Sequence, residues 1–318
     1  MSSLQAHSSR REYERRIHRV IDHVQAHLAD DLTLERLASV AAFSPFHFHR
    51  IFAAITGETL SAFIRRIRLE RAAGALTLLP DTSTLEIALS YGFSSAATFA
   101  RAFRAHFGMS ATQWRAGGDR QWRAAHRPQK SNLSQGERKN CKASHRRARQ
   151  HLSDGSKEVA MRVEVREIPP YRFAYMRHIG PYGTAGNIST LWASLGRWIR
   201  RRELERPGML TVGIGHDAPS IVAQKNLRYD AGLVVDRDFK PDRSINIAEL
   251  PGGKYAVIPF EGSATVISDA WEDFYAIWLP SSGYQPEDRP RLELRRDHGI
   301  QLPADHLRCE LCLPIRRL

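Results

Sequence analysis

The sequence predicts two domains of different class, an all-α domain in front and an α+β domain behind, joined by a basic stretch. Three observations predict this. Residues 1–118 place apolar side chains at helical spacing and contain a unit that recurs at an offset of 50, then 51. Residues 161–318 alternate strand-like and helix-like segments and carry their own repeat, at a constant offset of 82. Between them, residues 119–160 lose apolar periodicity and hold 11 Lys+Arg against 4 Asp+Glu.

In the front domain, Tyr13, Ile17, Val20, Ile21, Val24 and Leu28 mark a first helix over residues 10–28 with one buried face. Thr33 is placed to cap a second, which carries Leu34, Leu37, Val40 and Ala41. Ala42-Phe43 turns. Ser44-Pro45 then sets a cap ahead of a proline at the first position of a third helix. Its core face is Phe48, Ile51, Phe52 and Ile55; its outer face is Phe46, His49, Arg50 and Ala53. Leu60 to Leu79 reads as one helix, about 20 residues and so about 30 Å long, stopped by Pro80. Ser83-Thr84-Leu85-Glu86 is a capping box that opens the second unit. The helix from Ser95 turns Phe99, Ala102, Phe103 and His106 or Phe107 inward, and Ala97, Ala100, Arg101 and Arg104 outward.

The two units align residue by residue. Leu37-Ala38 matches Ile87-Ala88, and Phe43-Ser44 matches Phe93-Ser94. Phe48, Arg50, Phe52 and Gly57 match Phe99, Arg101, Phe103 and Gly108. This is a helix-turn-helix pattern twice, and two such helices on a rod close to one DNA turn can address successive major grooves without dimerisation. Arg50 can take guanine O6 and N7, and Phe46 can rest on a thymine methyl. On the second helix only Thr98 and Arg101 can read a base, so positioning there falls to phosphate contacts.

The run Arg68-Leu69 … Ile87-Ala88 … Tyr91-Gly92-Phe93 … Phe99 … Phe103 … Phe107-Gly108 resembles the DNA-binding domain of the AraC/XylS transcription regulators, over residues 10 to 117. The resemblance implies base contacts at Phe46, His49 and Arg50 and at Ala97, Thr98 and Arg101. It also implies double-stranded DNA and RNA polymerase as partners, and activation as output. The pair Ala96-Ala97 departs from the polar amides the family places there.

Composition agrees with a polyanion partner for the front. The chain holds 47 Lys+Arg against 34 Asp+Glu, with the excess in the first 160 residues. No apolar run approaches the roughly 20 residues of a membrane span, and the polar N-terminus carries no secretory signal. Three cysteines fit a reducing cytoplasm. Cys309 and Cys312 lie in a strand-like segment, where such spacing sends them to opposite faces. No metal-ligand cluster, phosphate loop or nucleophile motif is present, so neither cofactor nor enzyme activity is expected. The basic stretch 119–160 reads as a flexible tether, either a solubilising linker or an arm adding phosphate contacts.

In the rear domain, Glu167-Ile168-Pro169 with Ala174 and Gly180 repeats as Glu249-Leu250-Pro251 with Ala256 and Gly262. Each copy leads into an aromatic helix, Leu191 to Ile199 in one and Trp271 to Trp278 in the other. Strands follow at 210–215 and 229–235, then at 292–295 and 307–315. A pseudo-two-fold α+β domain with a cleft between its halves follows from this pattern.

The strings Gly180-Pro181-Tyr182, Arg228-Tyr229-Asp230, Pro251-Gly252-Gly253-Lys254-Tyr255, Trp278-Leu279-Pro280 and Leu307-Arg308-Cys309-Glu310-Leu311 resemble the GyrI-like effector-binding domain over nearly all of 161–318. The resemblance implies a cleft in which a strand carboxylate among aromatics receives a small amphipathic or cationic effector. Glu293 matches that carboxylate best and Glu310 second; Tyr182, Trp192, Tyr229 and Trp278 are the walls. Arg291 and Arg295 beside Glu293 would instead favour an anion. Two other readings stay open: a cyclopropanoid hydrolase using Glu293 with Tyr182, and a protein-interaction module.

Overall fold

The computed structural model describes residues 3–125, 162–182, 187–219, 221–263, 267–287, 289–296 and 306–318. The front domain is helical throughout. Its elements are α1 (Ser3–Ala26), α2 (Leu34–Val40), α3 (Pro45–Thr56), α4 (Leu60–Leu78), α5 (Thr84–Ser90), α6 (Ala96–Phe107) and α7 (Ala111–Gln113). A π-turn at Trp114–Gly118 then leads into α8 (Asp119–Ala125).

Local chemistry starts and stops these helices. The Thr33, Thr59, Ser83 and Ser95 hydroxyls each accept a backbone N–H of the first turn. Ser44 sits at the predicted cap position but makes no side-chain bond, and Pro45 supplies the helical φ instead. At Ser83 only the forward half of the predicted box forms; the reciprocal capping box belongs to Ser110 and Gln113. Gly57 and Gly108 close α3 and α6 in the left-handed region, φ +77 and +73.

Each unit has its own core. Leu37, Ala38, Phe48 and Phe52 pack on Ile17, Val20, Ile21 and Val24 of α1. Ile87, Ala88, Phe99, Phe103 and Phe107 pack on Leu69, Ala73, Leu76 and Trp114. Each large side chain buried there contributes about 1.5–3 kcal/mol. Phe107, not His106, completes the inner face of α6. Arg68 on α4 ties the units together, donating to the carbonyls of Leu28 (2.9 Å), Gly92 (2.9 Å) and Asp30 (3.0 Å). A Cβ on Gly92 would come 2.4 Å from the Leu28 carbonyl, so this turn admits glycine alone. The matching turn in the first unit uses Ala42 at φ +53.

Loss of apolar periodicity predicts an end to the front domain at 118 and a linker over 119–160. In the structure, Asp119–Ala125 is helix, and Trp122 packs against the second core. The tryptophan supplies an apolar anchor too isolated to create periodicity. The rest of the basic stretch, 126–160, lies outside the described residues, as does Met161.

The rear domain contains β1 (Glu164–Ile168), β2 (Tyr171–Ile179), α9 (Asn187–Arg201), β3 (Leu210–Gly215), β4 (Arg228–Val234), β5 (Asn246–Leu250) and β6 (Gly253–Ser263). It continues with α10 (Ile267–Asp273) running into a π-turn (Phe274–Trp278), then β7 (Tyr284–Pro286), β8 (Arg291–Arg296) and β9 (His306–Arg317). The strands form an antiparallel sheet in the order β1-β6-β9-β8-β3-β4-β2-β5, with β7 pairing β9. The repeated halves exchange their first strands: β1 pairs β6, and β5 pairs β2. The repeated alanines explain themselves, since Ala174 lies under α9 and Ala256 under α10, both fully buried.

Register places the two helices. One row crosses the sheet from Ala231 through Gly213, Glu293 and Leu311 to Ile258. Ala231 packs with α9, and Leu311 and Ile258 pack with α10. Both helices therefore share one face, with Gly213 and Glu293 between them. Cys309 joins the α10 core and Cys312 the opposite face, as strand alternation requires.

Candidate DNA interface and ligand cleft

The two exposed helix faces of the front domain are built alike. In α3, burying Phe48 and Phe52 leaves Phe46, His49 and Arg50 outward, with Phe46 65% exposed. The Arg50 guanidinium lies 5.4 Å from the Phe46 ring centre. This contact pre-orients the arginine while leaving its donors free to meet a base edge. In α6, burying Phe99 and Phe103 leaves Thr98, Arg101 and Arg104 exposed beside Ala97 and Ala100. The Thr98 hydroxyl is 3.0 Å from the Ser95 hydroxyl that caps the helix. Arg50, Arg101 and Arg104 have no acidic partner among the described residues, which suits them to phosphates and bases. The 19 residues of α4 extend about 28 Å at 1.5 Å each.

On the sheet face between α9 and α10, Glu293 is 8% exposed. Its Oε2 accepts from the Tyr229 hydroxyl at 2.7 Å and from Arg295 Nη2 at 3.1 Å. Trp192 Nε1 donates to the Tyr229 oxygen at 3.3 Å. The Tyr182 ring stands edge-on to Tyr229 at 6.0 Å, and its hydroxyl donates to the Arg228 carbonyl. Burial, then the charge of Glu293, pushes the Tyr229 pKa well up, so the phenol stays a donor. Burial opposes the Arg295 cation, but Tyr229 and Glu293 outweigh it and hold its pKa above the usual arginine range. Gly213 leaves the necessary space: a Cβ there would come 2.1 Å from the Tyr229 oxygen.

Four of the six sequence candidates, Tyr182, Trp192, Tyr229 and Glu293, therefore meet. Two do not. Trp278 packs with Phe274 and stacks on Tyr284, 6.2 Å away, in the core beneath α10. Glu310 points to the opposite sheet face, beside buried Leu294 in register, and pairs with Arg166. Both faces of β9 are apolar, so its sequence does not reveal which parity faces the helices.

Trp271 is not among the walls predicted from the sequence, and Arg291 and Arg295 enter there only as neighbours of Glu293. They frame the carboxylate: the Arg295 guanidinium lies 3.9 Å from the Trp192 ring centre on α9, and Arg291 lies 5.1 Å from that of Trp271 on α10. Strand alternation in Arg291-Leu292-Glu293-Leu294-Arg295 already put all three charges on one face.

No group of metal-ligating side chains occurs among the described residues, and no helix described is long and apolar enough to cross a membrane. A helix-turn-helix domain family matches residues 37–117, and the family described as a GyrI-like small molecule binding domain matches 161–316. YosT of Bacillus subtilis (strain 168), named as a prophage-derived transcriptional regulator, is 30% identical over 49% of this chain and 100% of its own length. The right origin-binding protein of Escherichia coli (strain K12) is 26% identical over 92% of this chain and 96% of its own. The transcriptional regulator Rob of Salmonella typhimurium is 24% identical over the same shares.

Proposed function

The chain belongs to the transcriptional regulators that join an AraC-type helix-turn-helix domain to a GyrI-like small-molecule-binding domain, and from that footing we propose how its two parts act. One molecule lays α3 and α6 into successive major grooves of double-stranded DNA. Phe46, His49 and Arg50 read bases, Thr98 and Arg101 add weaker readout, and Arg104 holds phosphate. The cleft between α9 and α10 takes a small amphipathic, planar cation. The output is activation beside RNA polymerase in the cytoplasm, with no turnover of the ligand. The reading end extends to residue 125 and the sensing end begins near 162.

The observation that supports the ligand class best is Arg295 itself. It is a planar cation, stacked on Trp192 and paired with Glu293, and it stands where the ligand would. Desolvated cation–aromatic stacking is worth about 2 kcal/mol.

The test is a tryptophan-fluorescence titration with N-ethylquinolinium and its neutral counterpart 1-ethylnaphthalene. The cation should bind at least about tenfold tighter, and Arg295→Met should tighten it further by removing the resident competitor. Equal affinities for the two probes, or a weaker cation in Arg295→Met, sink the cationic reading. A single-molecule footprint confined to one DNA turn sinks the groove assignment.

A further inference from the structure

The sheet face opposite the cleft carries the front domain. Asp22 on α1 pairs with Arg177 on β2 at 2.7 Å and accepts from the Tyr175 hydroxyl. The Arg177 side chain is 1% exposed and also binds Asp230 on β4 through both carboxylate oxygens, 2.6 Å each. His216 meets the same carboxylate at 2.6 Å. Alongside, the Gln25 side-chain amide on α1 lies against the Arg228 guanidinium, and with its oxygen turned inward it accepts from Arg228; Arg228 is held by Asp217. Ile221, on the turn before β4, is buried within the second helix-turn-helix core. Removing one partner from such a buried ionic group is strongly destabilising, so the seam tolerates little displacement.

Strand alternation makes β4 serve both faces. Arg228 and Asp230 point to the front domain, while Tyr229 between them points into the cleft and holds Glu293. Tyr182, the other cleft aromatic, bonds the Arg228 carbonyl. Three consecutive residues thus carry the cleft's central donor and two anchors of the seam. Arg177 Nη1 is buried without an acceptor among the described residues, so the seam already holds one polar group unsatisfied.

We propose that the seam is a ligand-responsive clasp on the DNA-binding domain, with the Arg228–Tyr229–Asp230 run as the link. A cation that takes Glu293 from Tyr229 frees the phenol, shifts β4 and loosens the clasp. The ligand-driven part rests on the cleft reading above; the β4 link does not. By thermodynamic reciprocity, loosening the clasp must tighten the ligand, by the same factor when the clasp opens fully.

The test uses the full chain. Amide exchange at Ile221 and Val222, which lie in a short turn covered by the front domain, reports release of the clasp. Tyr229→Phe without ligand, and wild type with N-ethylquinolinium, should each speed this exchange about fivefold or more, and Asp22→Asn should bind the cation about fivefold tighter or more. Tyr182→Phe, which frees the Arg228 carbonyl, is the second cleft-side variant and should move exchange in the same direction. If the cation binds wild type and Asp22→Asn equally and exchange never changes, the coupling is wrong and the cleft reading survives. If the cation binds no variant while Tyr229→Phe still speeds exchange, the cleft reading fails and the β4 link stands. Slower exchange with ligand, together with weaker binding by Asp22→Asn, overturns the proposal by reversing its sign.

Discussion

Gly213→Ala is the sharpest probe of the cleft. The new methyl would sit 2.1 Å from the Tyr229 oxygen and 3.0 Å from Glu293 Oε2, where ordinary contact begins above 3.4 Å. Tyr229 must swing away and give up its 2.7 Å bond to the carboxylate. Overpacking costs about 1–3 kcal/mol, and a lost bond to a charged group costs about 1.5–3 kcal/mol. Reduced freedom of the unfolded chain returns about 0.4–1 kcal/mol. The net is a loss of about 1.5–5.5 kcal/mol, which lowers the rear-domain Tm by about 3–22 °C at 2–4 °C per kcal/mol. Gly196→Ala is the matched control. It lies inside α9, and its methyl meets only Arg200 Nη1 at 3.7 Å, so it should stabilise by about 0.5–1 kcal/mol. Thermal unfolding followed by tryptophan fluorescence reads both. A Gly213→Ala protein at or above the wild-type Tm refutes the packing described for the cleft.

Other outcomes follow from the same geometry. Arg50→Ala should lose about 1–3 kcal/mol of DNA binding and relax one base position, whereas Arg104→Ala should weaken all sequences alike and reduce the salt slope by about one; a binding-and-sequencing assay at two salt concentrations separates them. Ala42→Gly should stabilise the front domain by about 1 kcal/mol, since Ala42 bears the left-handed φ that Gly92 bears in the other turn; urea unfolding reads it. Burial, with Arg177 nearby, pushes the His18 pKa from 6.5 down to about 4. Below pH 6.5 the unfolded chain therefore takes a proton that the folded chain refuses, and stability falls as pH drops from 6.5 to 4. His18→Gln should flatten that part of the stability profile, and an unchanged slope would reject the assignment.

Much of this was legible in the sequence because it is local or repeated. The duplicated Phe and Ala positions give both helix-turn-helix cores, and the period-two runs at 210–215 and 292–295 give β3 and the centre of β8. What escaped has physical reasons. Trp122 anchors α8 with a single side chain, below any periodic signal. Glu310 and Trp278 were misplaced because β9 and the helix over it are apolar on more than one side, so parity carries no information. Arg295 looked like a charge that would repel a cation, yet its own stacking on Trp192 marks out the cation's place. Asp22 and Arg177 sit in separate domains, and no spacing rule connects them.

The seat beneath α1 bears on how such regulators can be recombined. A graft that carries the helix-turn-helix units but lacks Asp22 and Gln25 would bring a reading head with no handle. A sensor expressed alone would display Arg177, Arg228 and the turn carrying Ile221 uncovered, and so would be prone to self-association. Chimeras that keep α1 together with β2, β4 and the turn at 216–222 should therefore stay soluble and responsive. Those cut at the basic stretch alone would inherit two folded parts and no conversation between them.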